Sequence, residues 1–325
     1  MPSLARACVA ALLLLAPGAA SAIAQDYPHQ TFKIVVPFAA GGGVDVVARI
    51  ITPKLAEELG QSVVIENRGG AGGMLGAAAV AQAPPDGATL LLGTGSTHGT
   101  NSSVYSRLSY DPVKDFVPIV LVSSSPLLLV VPPSLPARSV DDLIVLARSR
   151  PGELSFASYG TGSINHLGAE LFNAMAKLHA NHIPYRGSAP ALADLIAGRI
   201  HYTFDGVSTS FGYIQAGTIR VLGVAGPRRS PVLPDVSTIA ETAVPGFDTT
   251  VWSGLFAPAG TPKPVVDRLN SKVNAVLAFP RVRESFEKLG IEAVGGSAQT
   301  LADRVQAEMT KWAAIVRAKN IHVDQ

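Results

Sequence analysis

The chain has 325 residues, enough for two domains, and its 26 basic and 24 acidic side chains leave a formal charge of only +2. Lysine and arginine are scattered, so the basic face that duplex binding needs is missing and nucleic acid is not expected as a partner. The single cysteine, Cys8, lies near the start, so the remainder offers neither disulfides nor thiolate chemistry.

The first segment reads as a targeting signal. Arg6 supplies a positive start, and residues 7–16 form an apolar run too short to span a bilayer as a permanent helix. Ala20-Ser21-Ala22 and Ala22-Ile23-Ala24 are both small-x-small cleavage sites. Residues 1–24 are therefore expected to be a cleaved secretory signal peptide. No later stretch is apolar enough for long enough to cross a membrane.

From there, short apolar runs alternate with helical patterns, which argues for α/β layering. Strands are expected at 32–36, 62–66, 89–93, 117–122, 127–131, 154–157, 182–185, 201–205, 219–225 and 251–257. Most are uniformly apolar, as strands buried on both faces tend to be. Asp45 reads as the cap of a helix carrying Val46, Val47, Ile50, Ile51 and Leu55. Ser139 with Asp142 opens another in capping-box fashion. Ser163 opens a third, with Ile164, Leu167, Leu171, Met175 and Leu178 on one face. Ser188 is expected to cap a fourth, which Gly198 ends. After Ser297 a long final helix places Leu301, Val305, Met309, Trp312 and Val316 along one stripe.

Two interruptions stand out: residues 111–126, with the polar run Ser123-Ser124-Ser125, and the Pro- and Gly-rich 226–246. The block between them has the size of a domain. Its insertion into the surrounding fold gives domain 1 as 25–123 plus 226–325 and domain 2 as 124–225. Two crossings make a hinge, and the cleft between the lobes is then the natural ligand site.

Four glycine-rich loops fall at strand C-termini or helix N-termini: Gly41-Gly42-Gly43, residues 69–73, residues 93–99 and residues 159–163. In open α/β sheets ligands bind there, because glycine admits close backbone approach and helix N-termini offer unpaired N–H groups to an anion. None of these loops matches G-x-G-x-x-G or the Walker pattern, and no serine lies in a G-x-S-x-G elbow. A small carboxylate is a better guess than a nucleotide. His179 and His182 are three apart but straddle a helix end and a strand, so no metal site is expected. Neither a cofactor nor a catalytic residue is expected, although a spatially assembled triad leaves no local signature.

Among polar residues, Ser96, Thr97 and His98 are expected at the mouth of the first lobe, and Thr161, Ser163, Asn165 and His166 at the mouth of the second. His166 either faces the cleft or caps its turn. Arg186 could pair with a carboxylate through its planar fork or be a surface residue on a turn. Asp205 could accept from a ligand hydroxyl or ammonium, or cap the segment after it.

The ordered set "YPHQTFKIVVPFAAGGGVDVVAR", "VVIENRGGAGGMLGAAAVAQAPPDGATLLLGT", "ASYGTGSINHLGAELF", "HIPYRGSAPALADLIAGRI" and "GLFAPAGTPKPVV" closely resembles the receptors of tripartite tricarboxylate transporters, the Bug-type solute-binding proteins. The resemblance runs over essentially the whole chain after the signal. It implies an α/β, two-lobed type II periplasmic-binding-protein fold, two domains with a hinge and an interdomain cleft. It also implies a periplasmic monomer that binds a di- or tricarboxylate, an acidic amino acid or an aromatic acid, and hands it to membrane permease subunits. Carried onto this sequence, the ligand site would be Phe38, Ala39, Ala40, Gly41, Gly42, Gly43, Ser96, Thr97, His98, Tyr159, Gly160, Thr161, Gly162, Ser163, His166, Tyr185 and Asp205. An exported enzyme acting on a small carboxylate or ester, and a sensor that docks on a signalling protein, are the alternatives.

Overall fold

The structure, a computed structural model, describes residues 31–319 and 321; the expected signal peptide, His29 and His322 lie outside them. The chain opens with β1 (Phe32–Val36), α1 (Gly43–Leu59), β2 (Val63–Asn67), α2 (Met74–Ala81) and β3 (Thr89–Thr94). These strands pair in parallel in the order β2-β1-β3. A wide helical turn, Ser96–Thr100, then runs into α3 (Asn101–Val104). Next comes β4 (Phe116–Val131), a 16-residue strand.

The second half of the fold holds α4 (Val140–Ser149), β5 (Ser155–Ser158), α5 (Ile164–Ala176), β6 (Asn181–Pro184), α6 (Ser188–Ile196), β7 (Tyr202–Gly206), α7 (Val207–Gln215) and β8 (Arg220–Ala225). After α8 (Ile239–Thr242), the chain returns as β9 (Thr250–Pro258) and closes with α9 (Lys263–Ala278), α10 (Pro280–Glu287), β10 (Glu292–Ala293) and α11 (Ala298–Lys319).

Two lobes result, joined through β4. From Phe116 to Pro126 this strand pairs with β9, which also pairs with β3; from Leu127 onward it pairs with β7 and β8. The uniformly apolar strands are explained by helices on both faces of each sheet. Strand parity sorts the side chains. Ile34, Leu90 and Leu92 join α1 and α9 residues in one core, while Val35 and Leu91 join Trp252, Phe256 and Trp312 in another. In the second lobe Leu127, Leu129 and Val131 pack with Phe156, Phe172 and Phe204, whereas Leu128 and Val130 pack with Leu192 and Leu195.

Several expectations are corrected. The runs 117–122 and 127–131 are one strand. Its serines do not interrupt it because the ladder to β9 continues and their hydroxyls are used: Ser123 Oγ lies 2.6 Å from Ser253 Oγ, and Ser125 Oγ donates to Gly290 O. The chain also stays with the second lobe past the expected return at residue 226. Val224 N–H donates to Ser237 O, and Ile239, Val244 and Phe247 enter the Phe172–Phe204 core. The return crossing therefore falls where Thr249 leads into β9.

Gly42 and Gly187, not Asp45 and Ser188, occupy the N-caps of α1 and α6. The Ser139–Asp142 capping box forms as expected. On α5 Ile164 and Leu167 are buried as expected, together with Asn165, Ala169 and Phe172, while Met175 is exposed and the helix ends before Leu178 with Lys177 in the left-handed region.

Trp312 is fully buried on α11, and its indole Nε1–H donates to the Glu308 carboxylate. Replacing it with alanine should lower stability by about 3–5 kcal/mol, the usual cost of emptying an aromatic core site, read as a fall in the urea midpoint.

Candidate functional site

Strand C-termini and helix N-termini from both lobes converge on the interlobe cleft, which encloses about 990 Å³ including its mouth. Phe38, Ala39, Ala40, Gly42, Gly43, Thr94, Gly95 and Ser96 line it from the first lobe. Tyr159, Asn165, Gly187, Ser188, Gly206, Ser208 and Thr209 line it from the second, and Ser123, Ser125, Trp252 and Ser253 from the crossing strands. No Asp, Glu, Lys, Arg or His side chain belongs to this lining among the described residues.

Its polar groups are uncharged side chains such as Ser96, Asn165, Ser188 and Thr209, and backbone at the helix ends. The first turns of α1, α5, α6 and α7 all reach it. Each carries N–H groups without intrahelical partners and the positive end of a helix dipole. The N-caps of α1, α6 and α7 are glycines and make no side-chain capping bond, so their first-turn donors have no internal competitor from a cap. On α5 the donors are already engaged: Ser163 Oγ accepts from His166 N–H, and Ser96 Oγ, reaching across from the first lobe, accepts from Ile164 N–H.

The loop before α1 is held from behind. Gly41 has φ +82°, a conformation that glycine adopts without strain. Its N–H donates to Asp45 Oδ2, while Asn67 donates from Nδ2 to Asp45 Oδ1 and to Phe38 O. Asp45 is buried and also receives Arg49 Nε at 2.7 Å. Gly42, with φ −76°, has no such backbone requirement; its role is to leave the cleft side open. Across the cleft, a Cβ on Gly43 would lie 3.3 Å from Ser208 Oγ. Elsewhere the lobes touch through Thr100 Oγ1, which donates to Gly162 O, and Tyr105 OH, which donates to Thr161 O.

Of the residues expected at the site, Phe38, Ala39, Ala40, Gly42, Gly43, Ser96 and Tyr159 are brought together on the cleft wall. Gly41 shapes the loop behind them. Gly160, Thr161, Gly162 and Ser163 lie outside the lining: the Gly162 and Thr161 carbonyls make the lobe contacts, Ser163 caps α5, and Gly160 N–H bonds Ser158 Oγ. Thr97 and His98 are not at the mouth but fully buried. The His98 ring stacks on Phe256 at 3.8 Å and meets Phe116 edge-on; burial lowers its pKa to about 3, which keeps it neutral. Thr97 spends its hydroxyl on the end of β3, where it accepts from Thr94 N–H.

His166 is buried too, stacked on His182 at 3.8 Å, and its Nδ1 accepts from Gly162 N–H. Burial, with His182 as second cause, lowers its pKa to about 3. Tyr185 turns its hydroxyl to Asp194, and Arg186 is exposed outside the lining. Asp205 is fully buried one layer behind the wall, where it accepts from Ser188, Thr209 and Ser210.

The wall residues that the site prediction missed include Trp252, Ser253, Ser208 and Thr209. For the last two a signal existed: "DGVSTS" repeats the strand–glycine–helix pattern of the predicted loops. Trp252 had none, because its neighbours on β9 read as ordinary buried strand.

The fold and the cleft define a two-lobed solute-binding protein. Residues 47–321 match the family model described as tripartite tricarboxylate transporter family receptor. BugT of Bordetella pertussis is 36% identical over 92% of each chain. Among solved structures, R. palustris Rpa4515 with adipate is 41% identical with a TM-score of 0.89, covering 92% of this chain and 100% of its own. MatC from Rhodopseudomonas palustris with bound malate is 37% identical with a TM-score of 0.85, covering 89% and 100%. The chain belongs to the tripartite tricarboxylate transporter receptor family, whose members are periplasmic solute-binding receptors.

Asp45 gives a pH test of the loop. Burial opposes its ionisation, but the bonds from Arg49, Gly41 N–H and Asn67, with the Arg49 charge, bring its pKa below the ordinary 3.8. A carboxylate depressed in the fold stabilises it above the unfolded pKa, and that contribution is lost as pH falls through the folded value. The stability difference between the native chain and Asp45→Asn should therefore be largest near neutrality and shrink below the ordinary carboxylate range, as followed by urea unfolding across acid pH.

Proposed function

We propose that this protein captures one small organic carboxylate between its lobes in the periplasm, closes over it and delivers it to a membrane permease, without chemical turnover. The observation that carries this reading is the meeting of the three glycine-capped N-termini of α1, α6 and α7 on a cleft with no charged side chain in its lining among the described residues. Such a wall supplies donors and positive potential to an anion, while fixed counter-charges contribute nothing. Adipate in Rpa4515 and malate in MatC are dicarboxylates, and a ligand of that kind is proposed here.

Phe38, Ala39, Ala40, Gly42 and Gly43 are proposed to receive one carboxylate at α1, with the α6 and α7 first turns facing it. Closure would move residues up to Pro126, together with the chain from Thr250 onward, against residues 127–249, with the crossing strands as hinge. Ligand contacts made to both lobes at once favour the closed arrangement by their differential affinity.

Titration calorimetry against straight-chain dicarboxylates tests the reading. At least one should bind with a clear thermal stabilisation. Gly43→Leu should weaken that binding by about a hundredfold, the equivalent of a few lost hydrogen bonds, while the unliganded melting temperature changes little. Unaltered affinity in that variant would remove α1 from the site, and a silent panel would refute the carboxylate assignment.

A further inference from the structure

Asp205 stands directly behind the second lobe's wall, and its contacts determine what that wall can offer. Ser188 Oγ, the first residue of α6, donates to Asp205 Oδ1 at 2.7 Å. Thr209 Oγ1, from the first turn of α7, donates to Oδ2 at 2.6 Å, and Ser210 Oγ bonds the same oxygen. Ser188 and Thr209 also line the cleft.

A hydroxyl has one proton and two lone pairs, and an ionised carboxylate only accepts. With Asp205 ionised, the protons of Ser188 and Thr209 point back into the protein. What these hydroxyls present to the cleft is then acceptor capacity, set between helix-end N–H groups that donate. The two kinds of group face the same ligand.

We infer that Asp205 is a positioning residue that sets this polarity, so that the wall favours a carboxylate bearing a neighbouring hydroxyl over its deoxy counterpart. The inference rests on the carboxylate-receptor reading and refines it. A ligand hydroxyl can donate to Ser188 or Thr209, whereas a methylene there leaves their lone pairs unmatched.

Its surroundings make Asp205 responsive to protons as well. The groups that face it are the hydroxyls of α6 and α7, Gly206 N–H and its strand partner Leu128. No charged side chain among the described residues forms a hydrogen bond or ion pair with it. Burial raises its pKa to about 6, against the opposing pull of the bonds from Ser210, Thr209 and Gly206 N–H. Once protonated, the carboxyl can donate to one hydroxyl and release that hydroxyl's own proton toward the cleft, which weakens the preference.

Calorimetry with the matched pairs malate/succinate and 2-hydroxyglutarate/glutarate tests this. At about pH 8 the hydroxylated member should bind about tenfold more tightly in the native chain, the worth of one good hydrogen bond. In Asp205→Asn the amide donates to one hydroxyl, and the ratio should fall to within about twofold. Thr209→Val, which keeps the carboxylate and the shape, should lower the ratio too and serves if the Asn variant does not fold. The native ratio should shrink toward about pH 6 and that of Asp205→Asn should stay flat, a difference that a purely structural role would not produce. A ratio near one in the native chain, or one that survives both substitutions, overturns the inference alone. Failure of every member of both pairs to bind overturns the inference, and the carboxylate reading falls with it only if the straight-chain panel is silent as well.

Discussion

One continuous strand serves both halves of this protein, and that constraint organises the rest. Because β4 pairs with β9 up to Pro126 and with β7 and β8 beyond it, the two lobes share a backbone ladder. The cleft floor is therefore sheet, with Ser123 and Ser253 bonded to each other across the strands. Such a floor can bend at the change of partners but cannot come apart without breaking main-chain hydrogen bonds. The helices that follow each strand then turn their N-termini toward the same gap from opposite sides.

That arrangement sets helix ends and hydroxyls into a largely apolar cleft whose lining carries no charged side chain among the described residues. Arginine or lysine in the wall would add strong charged partners for an anion, on long side chains that must be ordered to hold it. Helix ends offer weaker donors whose positions are fixed by the hydrogen-bonded backbone. The acidic residues near the site work in the second layer. Asp45 fixes the Phe38–Gly41 backbone, and Asp205 ties α6 to α7. Neither belongs to the cleft lining, so Asp45 orders the backbone of the α1 loop and Asp205 the hydroxyls of α6 and α7 from behind the wall.

Much of the fold was legible because its signals are local. Uniformly apolar runs marked buried strands, and Ser139–Asp142 and Ser163 marked helix starts. The errors came where tertiary pairing overrode local chemistry. Three serines read as a break became strand because β9 and Gly290 satisfied them. Proline- and glycine-rich sequence read as a return stayed with the second lobe because Phe247 found the Phe172–Phe204 core. At the site, glycine loops were readable since a missing Cβ is visible in sequence. The histidines misled: His98 and His166 flank true wall segments but turn into aromatic stacks, and no residue type announces which way a ring will face.

The lobe-to-lobe contacts have a consequence for how the receptor responds to its medium. Thr100 to Gly162 O, Tyr105 to Thr161 O and Ile164 to Ser96 join neutral partners, whereas the Lys311 ammonium donates across the lobes to Asp248 O. Mobile ions screen charges; they have little purchase on bonds between neutral partners. Of the contacts between the lobes, salt therefore reaches the Lys311 one first and leaves the three neutral bonds nearly untouched.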